Sequence, residues 1–432
     1  MTNKKINIVT LGCSKNKVDS EQLAGMLDQG YSVVHDSEDD SDIVIINTCG
    51  FIGDAKEESV DTILSFAESR KAGDISKLIV MGCLSQRYQK DLQNDIHEVD
   101  AFFGVNDLNA IATLLRSSDG QTTIPEHYHR VLSTTSHFAY LKISEGCDRS
   151  CSFCAIPLIR GKHRSASIEN LLAEATELAA SGVKELVLIA QDLTYYGIDL
   201  YGKREISRLI AALSEIEGIE WIRLQYAYPA GFPEDLISIM ASNPKVCRYI
   251  DLPLQHISDR ILKSMKRSIT KEQTISLVEN IRQKLPGIAF RTTLIVGYPG
   301  ETVEEFNELV QFVKDQRFDR LGVFTYSAED ETPAFTLEDD ITEDVKQERL
   351  DSIMAVQQEI SLELNLQKLG NTYRVLIDRL EGDYFIGRTE FDSPEVDNEI
   401  LIKKSKKLLK IGSFYTVEIV ESDYFDLYGK VV

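Results

Sequence analysis

Apolar runs of strand length alternate with stretches of helical period over the first three quarters of this chain. That alternation restricts it to parallel sheets joined by right-handed crossovers. Near the start, "INIVTLGC", "DIVIINTCG" and "KLIVMGC" read as strands ending at Cys13, Cys49 and Cys83. Between them "VDSEQLAGMLDQG" predicts a helix, capped by Asp19 with Gln22 three residues on and ended by Gly30. "DAKEESVDTILSFAESRKAG" predicts a second, with Val60, Ile63, Leu64 and Ala67 on one face. The cysteines are 36 and 34 residues apart, about one βα unit each. Each lies just past the C-terminal end of its strand, and those ends share the edge where open parallel sheets bind ligands. Three thiols distant in sequence are therefore expected to converge. Free cysteine is also often interior, a reading that suits any one of them better than all three at equivalent positions.

Further on, "FAYLKISEGC", "ELVLIAQD", "WIRLQYAYP", "YIDLPLQH", "IAFRTTLIVGYPGE" and "RLGVFTYS" read as six more strands with helical stretches between them. Six β/α units predict a barrel or partial barrel whose site is built on the loops after the strands. The first of these loops, "EGCDRSCSFCAIP", carries Cys147, Cys151 and Cys154 as C-x3-C-x2-C. The expected organisation is an N-terminal α/β domain over 1–120, a Ser/Thr/Gly/Pro-rich linker over 121–136, and the barrel over 137–341. A connecting helix over 342–370 follows, with Leu350, Ile353, Met354, Ile360 and Leu364 on one face. Over 371–432, alternating Tyr373, Val375, Ile377 and Tyr415, Val417, Ile419 predict a small antiparallel β-barrel.

A chain of 432 residues exceeds one ordinary domain. No run of 18 apolar residues suggests a membrane span, and the N-terminus lacks a signal-peptide core. A cytoplasmic location is expected, where thiols stay reduced. Seven cysteines then point to metal or catalysis rather than disulfides. Zinc would need a fourth ligand, but no second knuckle lies nearby and His163 has no zinc-like spacing. Iron–sulfur clusters are held by thiolates in tight spacings of this kind. Three thiolates on a four-iron cluster leave one iron open, and an open position is where a substrate or cofactor binds.

The C-x3-C-x2-C run, with Phe153 before its last cysteine, resembles the radical S-adenosylmethionine superfamily. The whole layout resembles the methylthiotransferase family over essentially the full chain. The resemblance implies two [4Fe-4S] clusters, one on Cys147, Cys151 and Cys154 with S-adenosylmethionine at its open iron, the other on Cys13, Cys49 and Cys83. It implies S-adenosylmethionine as both radical source and methyl donor, an electron donor, a sulfur source, and a TRAM-like C-terminal barrel that docks the substrate. It assigns no catalytic residue beyond the cluster ligands, and Cys247 is left as structural. The family divides between transfer RNA adenosine and the β-carbon of an aspartate in ribosomal protein uS12. "VTLGCSKNKVDSEQLAGML" and "SEGCDRSCSFCAIPLIRGKHRS" look most like the ribosomal-protein branch.

Charge points the same way. Lys plus Arg is 47 against 69 Asp plus Glu, a net of −22, which suits a basic protein partner better than nucleic acid. Residues 371–432 hold 12 acidic against 9 basic side chains, and "KKSKK" at 403–407 is the one basic cluster there, so RNA contact is not favoured. Asp392, Glu395, Asp397 and Glu399 are candidate contacts to the basic partner. Three further segments keep two readings each. Gly297 and Gly300 of "LIVGYPGE" approach the adenosyl group or serve a turn. Asp192 contacts the methionyl amino group or caps a helix. "RGKHR" at 160–164 contacts a carboxylate or the substrate, or is a solvated loop.

Overall fold

The computed structural model describes residues 4–118, 129–405 and 408–432. Residues 121–128 of the linker stretch, and Lys406 and Lys407 of the basic cluster, lie outside them. The first sheet has five parallel strands, β1 (Lys5–Thr10), β2 (Ser32–His35), β3 (Ile43–Thr48), β4 (Lys77–Gly82) and β5 (Ala101–Phe102), in the order β2-β1-β3-β4-β5. The short β2 and β5 carry too little apolar pattern to announce themselves. Helices α1 (Ser14–Leu27) and α4 (Leu108–Ser118) cover one face and α2 (Gly53–Ala72) and α3 (Cys83–Asp95) the other, each over its own apolar core. Two expectations fail here. Leu64 of α2 is solvent-exposed, so the buried face of that helix is carried by Ile63 and Ala67. Asp19 is no cap: α1 begins five residues earlier, on the extended backbone of Cys13, and Asp19 is buried in its middle.

The second body contains β6 (Phe138–Lys142), the ribbon strands β7 (Ser144–Glu145) and β8 (Arg164–Ser165), then β9 (Glu185–Ile189), β10 (Trp221–Leu224), β11 (Tyr249–Asp251), β12 (Ala289–Val296) and β13 (Arg320–Thr325). Six of them run parallel as two triplets, β6-β9-β10 and β11-β12-β13, linked by a single bridge between Ile222 and Val246. Among the described residues β6 and β13 do not pair, so the barrel is partial. Leu186, Leu188, Ile222, Leu224, Phe290 and Leu294 face the outer helices in one continuous core. The helix Glu343–Leu366 adds Ile353 and Ile360 to it.

The last strands, β14 (Thr372–Glu381), β15 (Tyr384–Arg388), β16 (Ile400–Lys403), β17 (Phe414–Ser422) and β18 (Leu427–Val431), close a barrel in the order β14-β15-β16-β18-β17. Val375, Ile377, Val417 and Ile419 fill it, as their alternation predicts. It seats against the N-terminal ends of the parallel strands, where Leu376 packs on Trp221, Cys247, Tyr249 and Ala289. Cys247 is thus an ordinary core residue. Polar side chains complete the seat. Glu185 accepts from Arg223 at 2.7 Å and pairs with Arg388 at 2.6 Å, all three buried. Asp392 pairs with Arg320, and Asp397 with Arg291 at 3.4 Å.

These pairs correct the reading of the acidic candidates. Asp392 and Asp397 have almost no exposed side chain, Glu395 is held by Lys17 and Tyr140, and Glu399 by Arg379. Asp392, Glu395 and Asp397 fasten the small barrel to the rest of the chain, Glu399 is paired within the barrel, and the buried Asp392 and Asp397 are not free to meet a basic partner. Asp392→Asn is accordingly expected to cost about 1–3 kcal/mol of stability, by weakening a charged hydrogen bond in a buried setting. A lower urea midpoint measures it. An unchanged midpoint would mean that the pair with Arg320 contributes nothing.

Candidate functional site

The adjacent strands β1, β3 and β4 deliver Cys13, Cys49 and Cys83 to one edge of the first sheet. Glycines let their loops touch. A Cβ on Gly12 would fall 2.7 Å from Cβ of Cys49 and 2.8 Å from its Sγ. A Cβ on Gly50 would fall 2.6 Å from the Leu84 nitrogen, immediately after Cys83. Asn16, one helical turn beyond Cys13, ties the same loops together. Its Nδ2 donates to the carbonyls of Leu11 at 2.8 Å and Thr48 at 3.1 Å, and its Oδ1 accepts from the Cys83 thiol at 3.6 Å. Cys13 is exposed while Cys49 and Cys83 are buried. Burial pushes the Cys83 thiol up to about 12, against the pull of Arg160, and raises Cys49 as well.

The second set of thiols lies at the opposite end of the partial barrel from Cys247. The ribbon β7–β8 closes the loop that holds Cys147, Cys151 and Cys154. The Cys147 nitrogen donates to the Gly161 carbonyl at 3.1 Å, and Ser152 anchors the loop to Met265 and Ser264. Burial pushes Cys147 to about 11 and Cys154 to about 12. Arg267 donates to the Cys151 sulfur at 3.6 Å, and Arg149 and Arg267 both stack on Tyr228, at 4.2 and 4.3 Å. Arg149 also donates to Asp192 at 2.8 Å. Its other oxygen caps the short helix Leu193–Tyr195, which is the helix-cap reading of Asp192. Nη2 of Arg149 and Nε of Arg267 are buried without a protein partner. Gly297 serves a tight turn: its nitrogen donates to Glu301 at 2.8 Å, and a Cβ there would strike Lys346.

One short helix links the two sets of cysteines. Helix α5 (Ile156–Arg160) starts two residues after Cys154, and Ala155 and Ile159 pack directly on Cys83 and Val105. Arg160, at the end of α5, donates to the Cys83 sulfur at 3.6 Å, to Asn16 at 2.6 Å, to Asp19 at 3.0 Å and to Glu145 at 2.9 Å. Lys142 pairs with the same two carboxylates. Burial opposes ionisation of Glu145, but Lys142 and Arg160 outweigh it and hold that carboxyl near about 2. Arg160 is therefore no solvated loop residue; it is buried in the seam. Asn16, Asp19, Lys142 and Glu145 are site residues that sequence reasoning missed, and the signal for two of them was helical spacing from Cys13.

The donor sets fit iron–sulfur clusters. Each offers three thiols and no fourth, and all seven cysteines are free. Among the described residues no three His, Cys, Asp or Glu side chains close on a single metal ion. A four-iron cluster is wider than one ion, so its thiolates stand further apart.

A partial parallel barrel with a three-cysteine loop after its first strand defines a radical S-adenosylmethionine enzyme. Residues 141–313 match the Radical SAM superfamily, residues 5–104 the Uncharacterized protein family UPF0004 and residues 369–432 the TRAM domain. In fold, the chain is similar to the radical S-adenosylmethionine methyltransferase TsrM from Kitasatospora setae (TM-score 0.53, 15% identity, 89% of this chain and 81% of that one). It is 56% identical to the ribosomal protein uS12 methylthiotransferase RimO of Christiangramia forsetii, over 99% of this chain and 94% of that protein. It is 55% identical to the protein of the same name from Bacteroides thetaiotaomicron, over 100% and 99%. The chain belongs to the family of ribosomal protein uS12 methylthiotransferases.

Proposed function

We propose that this protein converts the β-carbon C–H of an aspartate in ribosomal protein uS12 to C–SCH3. The observation that carries the reading is the juxtaposition of two three-thiol sites across one seam, in a chain of this family. Cys147, Cys151 and Cys154 hold one [4Fe-4S] cluster, and Cys13, Cys49 and Cys83 hold a second. When bound, the clusters supply open iron positions, one for S-adenosylmethionine as radical source and one for the sulfur to be inserted. The chain's own residues position and insulate. Asn16 and the glycines hold three loops in register, Arg160 spans the two sites, and Arg149 and Arg267 present buried donors beside the barrel thiols.

A second molecule of S-adenosylmethionine gives the methyl group, and an electron donor and a sulfur source complete the reaction. No helix among the described residues is long and apolar enough to cross a membrane; the ribosomal substrate makes the cytoplasm the place of action. Residues 1–120, 137–341 and 371–432 act as cluster domain, radical barrel and docking module, joined by 121–136 and 342–370. The docking role falls to the outward face of the small barrel, since Asp392 and Asp397 are spent on its seat.

The reading is tested by the mass of uS12 from cells with and without the gene: loss of the methylthio increment is expected. Replacing Cys13, Cys49 and Cys83 by alanine should abolish sulfur insertion and spare reductive cleavage of S-adenosylmethionine. Loss of cleavage in a folded variant that keeps its barrel cluster would refute this division of labour. Modification of transfer RNA in place of uS12 would refute the substrate.

A further inference from the structure

One buried cation has no partner in the network described above. Lys15 is 7% exposed, on the first turn of α1 between Cys13 and Asn16. No hydrogen bond or ion pair joins it to another described residue, whereas Arg160, Arg223, Arg320, Lys346 and Arg388 each hold a carboxylate. The anionic groups in its neighbourhood are Cys13, Asp251 and Glu145; Cys13 is given to the cluster in the function proposed above, and the two carboxylates are engaged elsewhere. Asp251 accepts from Arg291 at 3.2 Å and from the Tyr226 nitrogen at 3.1 Å, and Glu145 serves Lys142 and Arg160. A charge buried without a counter-charge is costly, and its natural complement is an anion brought in from outside.

Its setting looks built for that purpose. The Lys15 ammonium lies 3.1 Å from the centroid of the Tyr226 ring. Tyr226 follows the C-terminal end of β10 with a left-handed φ of 65°, a strained conformation for a bulky residue. The hydrogen bond from its nitrogen to Asp251 holds it there. The inner wall of the barrel nearby is not filled: along β12, Arg291, Thr293 and Ile295 are half-buried while their outward neighbours are buried, and Phe324 of β13 is 50% exposed.

We infer that Lys15 receives the side-chain carboxylate of the uS12 aspartate. This rests on the function proposed above. The β-carbon of aspartate is bonded directly to the carboxyl carbon, so anchoring the carboxylate places the reacting C–H within one bond. It also separates aspartate from asparagine, whose amide carries no charge for the ammonium. The competing anion is the carboxylate of S-adenosylmethionine. It is better served by Arg149 and Arg267, whose unpartnered nitrogens stand beside the barrel cysteines.

The test measures the affinity of the reconstituted enzyme for uS12 and for uS12 with the modified aspartate changed to asparagine, at one salt concentration. The wild type is expected to prefer the aspartate form by about tenfold or more. Lys15→Met should bind both forms as the wild type binds the asparagine form, and Lys15→Arg should recover part of the preference. Iron content and affinity for S-adenosylmethionine equal to the wild type identify an assembled variant. If Lys15→Met loses iron, the preference of the wild type and of Lys15→Arg decides. A wild type that does not distinguish the two forms overturns the inference. So does a Lys15→Met variant that keeps the preference, or one that loses affinity for S-adenosylmethionine instead. Failure of the function itself would show separately, as uS12 whose mass does not change with the wild-type gene.

Discussion

Replacing Cys147, Cys151 and Cys154 together by alanine is expected to bring uS12 modification to background and to abolish cleavage of S-adenosylmethionine. Anaerobically reconstituted wild type should hold about eight irons, and this variant about four. The expectation follows from the separateness of the two sites. The barrel cysteines sit on one loop closed by β7 and β8 and anchored to Met265 and Ser264. The other three sit just past the strand ends of a different sheet, held by Asn16 and by glycine contacts that the substitution leaves alone. Iron analysis together with detection of 5′-deoxyadenosine measures both effects. Retention of all eight irons would remove the barrel cluster from the scheme.

Glu185→Leu is expected to destabilise the protein by about 3–5 kcal/mol, the cost of leaving buried cations without their counter-ion. Glu185 is fully buried at the start of β9 and serves two guanidiniums, Arg223 of β10 and Arg388 of the small barrel. Arg223 keeps the carbonyls of Thr389 and Glu390 and the ring of Tyr249, none of them a counter-charge, and Arg388 keeps Asp378. Because one of the two cations belongs to β15, the loss should appear as early release of the small barrel. A separate first transition in urea, followed by limited proteolysis at the junction, would show it. A single transition at the wild-type midpoint would mean that the apolar seat around Trp221 and Leu376 carries the attachment alone.

Much of this architecture was legible because its signals are local. A run of β-branched residues followed by a cysteine marks a strand and its end together, and that placed Cys13, Cys49 and Cys83 on one sheet edge. The six barrel strands and the alternation of Val375 and Ile377 were equally plain. What was hidden depends on partners distant in sequence. Asp19 with Gln22 carries the signature of a helix cap, yet its carboxylate pairs with Lys142, 123 residues away. Asp392 looked like surface charge because its partner, Arg320, lies 72 residues earlier. Arg160 sat in a basic stretch whose composition describes a solvated loop. Its burial is decided by Asp19, Asn16 and Cys83, which belong to the helices of the N-terminal α/β body. Charge counts report how many ionic groups exist and say nothing about which are spent in a seam.

Arg160 has a consequence for spacing. Four groups from two bodies converge on one guanidinium, so pulling the bodies apart would strand a buried charge and uncover the packing of Ala155 and Ile159 on Cys83. The gap between the two centres is therefore a fixed dimension of the fold. The toll for letting the spacing drift is a stranded guanidinium, so the seam ties the spacing of the two sets of cysteines to the stability of the fold.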